Sequence, residues 1–269
     1  MSLNNYTTNL TQNQLLAALS ADELGRLRPH LELVSLRVGE VIYESGEQLE
    51  YVYFPTTAII SLFYITNNGA IAEIGLTGND GLVGTPLFMG GDTALNRAVV
   101  TIAGQAFRLR ARTLKKEFSL DGIFQRLLLR YTQYFITQIS QTAVCNRLHL
   151  VEQQLCRWLI TNHDLLQTNR LIITQELIAN SLGVRREAIS IAAARLKDKQ
   201  LIRYMRGTII ILDRNGLERN ACECYQVVKT EYNRLLVKNN SNKPVFNRQI
   251  SNYHPTVSFE KQSRIQIQL

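Results

Sequence analysis

The spacing of apolar residues changes character along the chain. Residues 33–38, 41–43, 51–54, 58–65, 70–74, 98–102 and 106–109 are short apolar runs rich in Val, Ile, Tyr and Phe, separated by Gly, Asn, Asp and Pro. Many short strands at close spacing, bounded by turn residues, predict a β-roll, barrel or sandwich. Ten of the 15 glycines fall between Gly39 and Gly104, which marks this region off from the rest. Asn67-Asn68-Gly69 predicts a hairpin turn, because Asn and Gly tolerate the positive φ that such a turn requires. Residues 11–31 read as one or two short helices, with Ser20 as an N-cap.

From residue 114 to 160 there is one glycine, Gly122, and no proline. Phe124, Leu128, Tyr131, Phe135 and Ile139 follow steps of 4, 3, 4 and 4, an apolar stripe on one helix face. A helix over 121–148 would be roughly 40 Å long at about 1.5 Å per residue. Ile123, Leu127 and Tyr134 add apolar surface beside the stripe. The expectation is two partners: the helix's own domain, and the same helix of a second chain. The five stripe residues are assigned to dimerisation. The alternative is a single wide face packed internally. Residues 151–167 read as a further amphipathic helix with Leu155, Trp158 and Leu159 inward. Residues 216–237 read as a final helix, and 238–269 as a flexible basic tail.

Residues 174–196, TQELIANSLGVRREAISIAAARL, have the layout of two helices around a tight turn. Thr174 can cap the first helix, with Gln175 and Glu176 in its first turn. Gly183 stands where a helix ends in the left-handed conformation. The second helix starts near Arg185 and turns Ile189, Ala192 and Leu196 inward. Residues 201–212 then read as a β-hairpin turning at Arg206-Gly207, the wing of a winged helix. The second helix begins against local rules. Arg185 is a poor cap, and Arg185 and Arg186 place positive charge at the positive end of the helix dipole. Such conflicts mark functional positions, and an anion at that terminus would relieve this one. DNA supplies anions beside base edges. Arg can bond guanine in a bidentate way, Glu can accept from cytosine, and Ser190 lies one turn further on. Arg203 and Arg206 would meet phosphates from the wing. Thr174 and Gln175 are expected DNA contacts together with Arg185, Arg186, Glu187, Ser190, Arg203 and Arg206.

Charge supports that reading. The net charge is +8 over 269 residues, distributed as 0 over residues 1–150 and +4 each over 151–237 and 238–269. A basic half behind a neutral half suggests that one part meets a polyanion. Hydrophobic residues make up 45% and charged residues 19%, the composition of a folded protein. No apolar run reaches the ~18 residues of a spanning helix, and no basic, signal-like start precedes the first apolar patch, so a cytoplasmic location without membrane contact is expected.

The chain resembles the Crp/Fnr family of bacterial transcription regulators over about residues 11–225. The resemblance rests on residues 38–43 (VGEVIY), Gly46-Glu47 and 81–84 (GLVG) in the roll. It rests also on 183–187 (GVRRE) and Leu201-Ile202 in the helix-turn-helix unit. It implies an α+β fold: an N-terminal double-stranded β-helix, jelly-roll-like sensor domain, a long dimerisation helix and a C-terminal winged helix-turn-helix domain. The division is 1–120 sensor, 121–150 long helix and hinge, 151–237 DNA-binding domain, and 238–269 tail. It implies a homodimer on double-stranded DNA, with RNA polymerase a candidate partner, and gives Arg186-Glu187 the base-contacting role. The family's usual Ser before that pair and Arg further along correspond here to Arg185 and Ile191. In cyclic-nucleotide-binding members a Gly-Glu-Leu segment holds the ribose and an Arg-Ser-Ala segment the phosphate. Here Gly84 is followed by Thr85 and Pro86, and Ala94-Leu95 stands at the phosphate position. Cyclic AMP and cyclic GMP are therefore not the expected effectors, and the cofactor is unknown. Gly84, Thr85 and Arg97 are the candidate effector contacts, with an ion-paired or surface Arg97 as the alternative.

Other chemistry finds little support. No cysteine precedes Cys145, so the N-terminal cluster of iron–sulfur members is missing. The four histidines, at 30, 149, 163 and 254, all lie outside residues 33–110, which weakens a metal-dependent cupin or a haem ligated from the roll. No metal site is expected. Cys222 and Cys224, two apart on a predicted helix, should point to different faces. Cys145, Cys156, Cys222 and Cys224 read as structural thiols, with redox or metal sensing as the alternative. No nucleophile elbow, phosphate loop or paired carboxylates point to an enzyme. The expected function is a homodimeric, sequence-specific transcription regulator with an unidentified signal. The alternatives are a ligand-independent interaction module with a vestigial helix-turn-helix, or a thiol redox-sensing regulator.

Overall fold

Seven strands form where the seven apolar runs lie. A computed structural model of the chain describes residues 10–237, and the tail assigned to 238–269 lies outside them. The strands are β1 (Glu32–Leu36), β2 (Val41–Tyr43), β3 (Tyr51–Pro55), β4 (Ile59–Ile65), β5 (Ile71–Thr77), β6 (Arg97–Ile102) and β7 (Gly104–Arg110). They pair antiparallel into two sheets, ordered β1-β7-β3 and β2-β6-β4-β5. Phe54, Phe107, Val52, Leu109, Ile60 and Val100 fill the roll between them. The β4–β5 hairpin turns through 66–70, with Gly69 at φ +81° as its sequence requires. Two short helices precede the roll, α1 (Gln14–Ala17) and α2 (Ala21–Leu27). Ser20 caps α2 in a reciprocal box with Glu23. Two further helices, α3 (Pro86–Met89) and α4 (Ala111–Phe118), were not legible as helices in the apolar pattern.

The long helix is α5 (Ile123–Leu148). It lies directly on β5 and the loop after it, and two glycines make that approach feasible. A Cβ at Gly81 would sit 2.2 Å from the Tyr131 ring, and one at Gly75 would sit 2.8 Å from Gln138 Oε1. Polar groups fasten the contact. The Tyr131 hydroxyl donates to the Leu82 carbonyl at 2.9 Å, and Tyr134 donates to Asp80 Oδ2 at 2.9 Å. Gln138 Oε1 accepts from the Leu76 amide at 2.8 Å. Glu23 accepts from the Phe124 amide at 3.0 Å and so stands in for the missing N-cap of α5.

This packing takes up, within the protomer, the face to which dimerisation was assigned. Phe124, Leu128, Tyr131 and Phe135 are buried within the protomer, and Ile139 is half-buried against the same core. Leu127 and Tyr134 are buried there too. A 3.6-residue apolar stripe identifies the face that is buried, not the partner that buries it.

Beyond α5 come α6 (Val151–Leu166), β8 (Arg170–Ile172), α7 (Gln175–Leu182), α8 (Arg186–Asp198), β9 (Ile202–Met205) and β10 (Thr208–Ile211). The wing has three strands, ordered β8-β10-β9, of which β8 was not foreseen. The predicted final helix is two, α9 (Arg214–Asn220) and α10 (Cys224–Leu235), broken at residues 221–223. Asp213 caps α9, its side chain accepting from the Gly216 amide. Asp164 of α6 holds both pieces. It pairs with Arg214 at 2.8 Å and accepts from the Tyr225 hydroxyl. Helix α10 returns to α5, where Tyr232 meets Tyr134 edge-on at 5.1 Å between ring centres. No helix among the described residues is long and apolar enough to cross a membrane.

Candidate functional site

The helix-turn-helix forms as its sequence dictates. Thr174 Oγ1 accepts from the Leu177 amide at 3.2 Å, capping α7. Gly183 takes φ +64°, which closes α7 and releases the chain into α8. Ile178, Leu182, Ile189, Ala192 and Leu196 are buried between the two helices and α6. Arg185 stands at the N-cap of α8 with no side-chain cap bond. The conflict read in the sequence thus persists in the fold.

Arg185, Arg186 and Glu187 are exposed at that terminus. Arg203 on β9 and Arg206 in the wing turn are exposed as well, and Gly207 beside it has φ +68°. None of the four arginines makes an ion pair among the described residues, whereas Arg195 and Lys199 further along α8 both reach Glu152. Guanidinium groups without ion pairs among the described residues therefore collect at the N-terminus of α8 and on the wing. Ser190 and Gln175 are less free. The Ser190 hydroxyl donates to Gln175 Oε1 at 2.8 Å, which joins α8 to α7. Ile191, at the position where the resemblance places a second arginine, is 56% exposed.

The candidate effector residues do not gather into an anion site. Gly84 takes φ +119° and runs against the backbone of Val52 and Tyr51. Thr85 precedes α3 without capping it. Arg97 is turned to Glu44, at 3.1 Å, so its charge is already matched. Ala94 is buried and Leu95 exposed, while nearby Asp92 is paired with Lys115.

A different constellation lies between the roll and the helix-turn-helix unit. A cavity of about 230 Å³ is lined by Glu73, Asp80, Tyr134, Arg157, Trp158 and Tyr232, among others. Glu73 is buried on β5. Ser61, Ser181, Arg157 and Trp158 face its carboxyl group and favour its charged form, but the contacts of Glu73 Oε2, Ser181 Oγ, Arg157 Nε and Trp158 Nε1 fall short of full hydrogen-bond geometry. Burial pushes the Glu73 carboxyl up to about 7. Burial also raises Asp80, against the bond from Tyr134.

The cysteines correct a second expectation. Cys145 lies in the last turn of α5, and His149 is the C-cap residue four positions on, its amide donating to the Cys145 carbonyl at 3.1 Å. Cys222 lies in the break between α9 and α10, and Cys224 opens α10, so they are not two positions on one helix. Their ligand atoms all lie within 4.8 Å of one another. Four side chains able to ligate a metal thus come together, where no metal site was expected from the sequence. The sequence carried the signal, Cys-x3-His and Cys-x-Cys, but the helix break that makes it converge was not legible. Cys156 is buried elsewhere, in the core of the helix-turn-helix unit.

Residues 153–220 match the Crp-like helix-turn-helix domain. A comparison with curated protein sequences gives no match. Among solved structures, FixK2 from Bradyrhizobium japonicum is 17% identical with a TM-score of 0.62, covering 71% of this chain and 98% of its own. A putative transcriptional regulator of the Crp/Fnr family from Eubacterium rectale is 17% identical with a TM-score of 0.57, covering 78% and 98%. The c-di-GMP-responsive regulator CLP from Xanthomonas campestris is 17% identical with a TM-score of 0.55, covering 71% and 99%. The chain has the fold of Crp/Fnr regulators and carries a Crp-like helix-turn-helix domain.

Proposed function

We propose that this chain, a Crp-like helix-turn-helix domain on a Crp/Fnr-type fold, is a homodimeric, sequence-specific DNA-binding transcription regulator. One observation carries the reading: four exposed arginines without ion pairs, clustered at the uncapped start of α8 and on the wing. Arg186 and Glu187 read base edges, Arg185 sits beside them, and Thr174, Arg203 and Arg206 face the phosphates. Ser190 and Gln175 position α8 on α7 through their mutual bond. The division into a sensor over 1–120, a long helix over 121–150 and a DNA-binding part over 151–237 belongs to this proposal.

Dimerisation uses the outer face of α5. Leu129, Gln133, Ile136, Ser140, Ala143 and Arg147 recur there in steps of 4, 3, 4, 3 and 4 and are exposed. Such a spacing is a heptad seam. The Thr137 and Ser140 hydroxyls donate to the carbonyls of Gln133 and Ile136, so this face can be covered with little loss of hydrogen bonding. Leu148 and Leu150, 72% and 73% exposed, extend it to the hinge. The signal acts on the β-roll and biases the long helices, which sets the separation of the two readers. Matched charge at Arg97 and an acid at Asp92 argue against a cyclic phosphate as that signal.

The test is selection of bound sequences from a random duplex pool with the full chain at physiological salt. Enrichment of a two-fold-symmetric site, with half-sites about 34 Å apart, is expected. An Arg186→Ala protein should lose about 1–3 kcal/mol of discrimination at one base pair per half-site. A variant that kept full discrimination would overturn the role given to Arg186. A pool that stays unenriched with and without cell extract would favour the interaction module.

A further inference from the structure

Three buried thiols and one imidazole meet where the long helix ends. Cys145 Sγ lies 3.4 Å from Cys222 Sγ, and Cys224 Sγ lies 3.6 Å from His149 Nδ1. A tetrahedral ion with bonds of about 2.3 Å to sulfur and about 2.1 Å to nitrogen needs ligand atoms roughly 3.5–3.8 Å apart. The observed separations approach those of such a tetrahedron before any ion is added. All four ligand atoms fall within 4.8 Å of one another, which suits one metal atom.

A second observation points the same way. Metal-ligating histidines usually give their other ring nitrogen to a carboxylate, which fixes the tautomer and raises the basicity of the ligand. His149 has this arrangement: Nδ1 faces the thiols while Nε2 lies 3.2 Å from Glu223 Oε1. Gln154 Nε2 donates to the carbonyls of Cys145 at 3.1 Å and His149 at 2.9 Å, pinning the turn that presents both ligands. The three cysteines form a small core of their own, apart from the two large ones. A ligand set of three sulfurs and one imidazole, with no open position, is the composition of structural zinc sites.

We propose that Cys145, His149, Cys222 and Cys224 hold one zinc ion, which clips the end of the long helix to the segment that follows the winged helix. Loading exchanges protons for metal: three Cys–SH groups and neutral His149 take up Zn²⁺ and release three H⁺. The site has a regulatory consequence. One ligand, Cys145, lies in the last turn of α5, and a second, His149, caps that helix; the other two, Cys222 and Cys224, follow α9 at the start of α10. The ion therefore fixes how α8 is carried relative to α5, independently of what the roll senses.

The test uses the full chain, purified under reducing, oxygen-free conditions. Elemental analysis should find one zinc per chain. Replacement by Co²⁺ should give the intense visible bands of tetrahedral cobalt together with thiolate-to-metal charge transfer. This readout needs no variant, so it survives if substitutions impair folding. Cys222→Ser and Cys145→Ser should lose the stoichiometric metal, Cys156→Ser should keep it, and Glu223→Gln should bind at least about 10-fold more weakly. Protein without stoichiometric zinc that gives no tetrahedral thiolate spectrum with Co²⁺ would overturn the proposal. So would iron with labile sulfide in place of zinc, or a Cys145–Cys222 disulfide as the resting state. Metal retained in folded Cys145→Ser and Cys222→Ser proteins would place it elsewhere and equally refute the assignment.

Discussion

Glu73 is an acid without a hydrogen bond to one of its buried oxygens, at the contact between β5 and the helices α6 and α7. Four groups face it: Ser61 from β4, Arg157 and Trp158 from α6, and Ser181 from α7. Burial is the largest influence, and it raises the carboxyl from 4.5 to about 7. A raised acid favours the folded state in its protonated form. Its contribution is complete below pH 4.5 and is lost as the pH climbs through 7. Moving the carboxyl from 4.5 to about 7, at about 1.4 kcal/mol per factor of ten in its acidity, makes that loss about 3 kcal/mol. Glu73→Gln keeps the shape and removes the titration. Urea unfolding of both proteins between pH 4 and 8 gives the difference directly, since Asp80 titrates in both. The wild-type advantage should fall by about 3 kcal/mol across pH 4.5–7 and level off above. Parallel profiles would refute the argument. A wild type that gains on the variant as pH rises would mean that an ionised Glu73 is matched by Arg157, whose removal from a buried pair costs about 3–5 kcal/mol.

Three further outcomes follow from the geometry. Gly81→Ala places a methyl group 2.2 Å from the buried Tyr131 ring, so α5 must lift off the roll; calorimetry should show a loss of at least about 1–3 kcal/mol. Ile136→Arg on the outer face of α5 should yield monomers in analytical ultracentrifugation and abolish binding to a two-fold site, while thermal stability of the protomer stays within about 0.5 kcal/mol after correction for dissociation. Arg206→Ala at the wing tip should weaken binding uniformly across DNA sequences and reduce the slope of log K against log salt by about 1 per protomer, measured by fluorescence anisotropy.

Legibility followed local physics. All seven strands of the roll were readable because each apolar run is bounded by its own turn residues, as at Asn67-Asn68-Gly69. The reader unit was readable because Thr174, Gly183 and the wing turn at Gly207 each have a required conformation. The span of α5 was readable to within two residues, but its partner was not. Tyr131 and Phe135 announce a buried face, and only Gly75 and Gly81, far away in sequence, say that β5 and the loop after it cover it. The outer face proposed as a seam was camouflaged, because Gln133 and Ser140 read as polar while the Ser140 hydroxyl is spent on the helix's own carbonyl. The metal-ligating set was missed for a related reason. The chain leaves α9 at Ala221 in an extended conformation before α10 begins, and this break brings Cys222 and Cys224 to one point.

The same fastening explains how a signal in the roll could reach the reader without touching it. Helix α5 carries two sets of contacts on its inner face. Near its middle, Tyr131, Tyr134 and Gln138 bond to the loop and strand around Asp80 and Leu76. Tyr134 also meets Tyr232 of α10, which belongs to the segment following the winged helix. Tyr134 thus touches the roll through Asp80 and α10 through Tyr232 with a single side chain. A ligand that favours one position of the Asp80 loop must change the cost of that tyrosine's place, and with it the seat of α10. The cavity beside it leaves Glu73 Oε2, Arg157 Nε and Trp158 Nε1 without hydrogen-bond partners. Packed contacts of this kind shift between discrete arrangements rather than stretching, which is the property a two-state regulator needs.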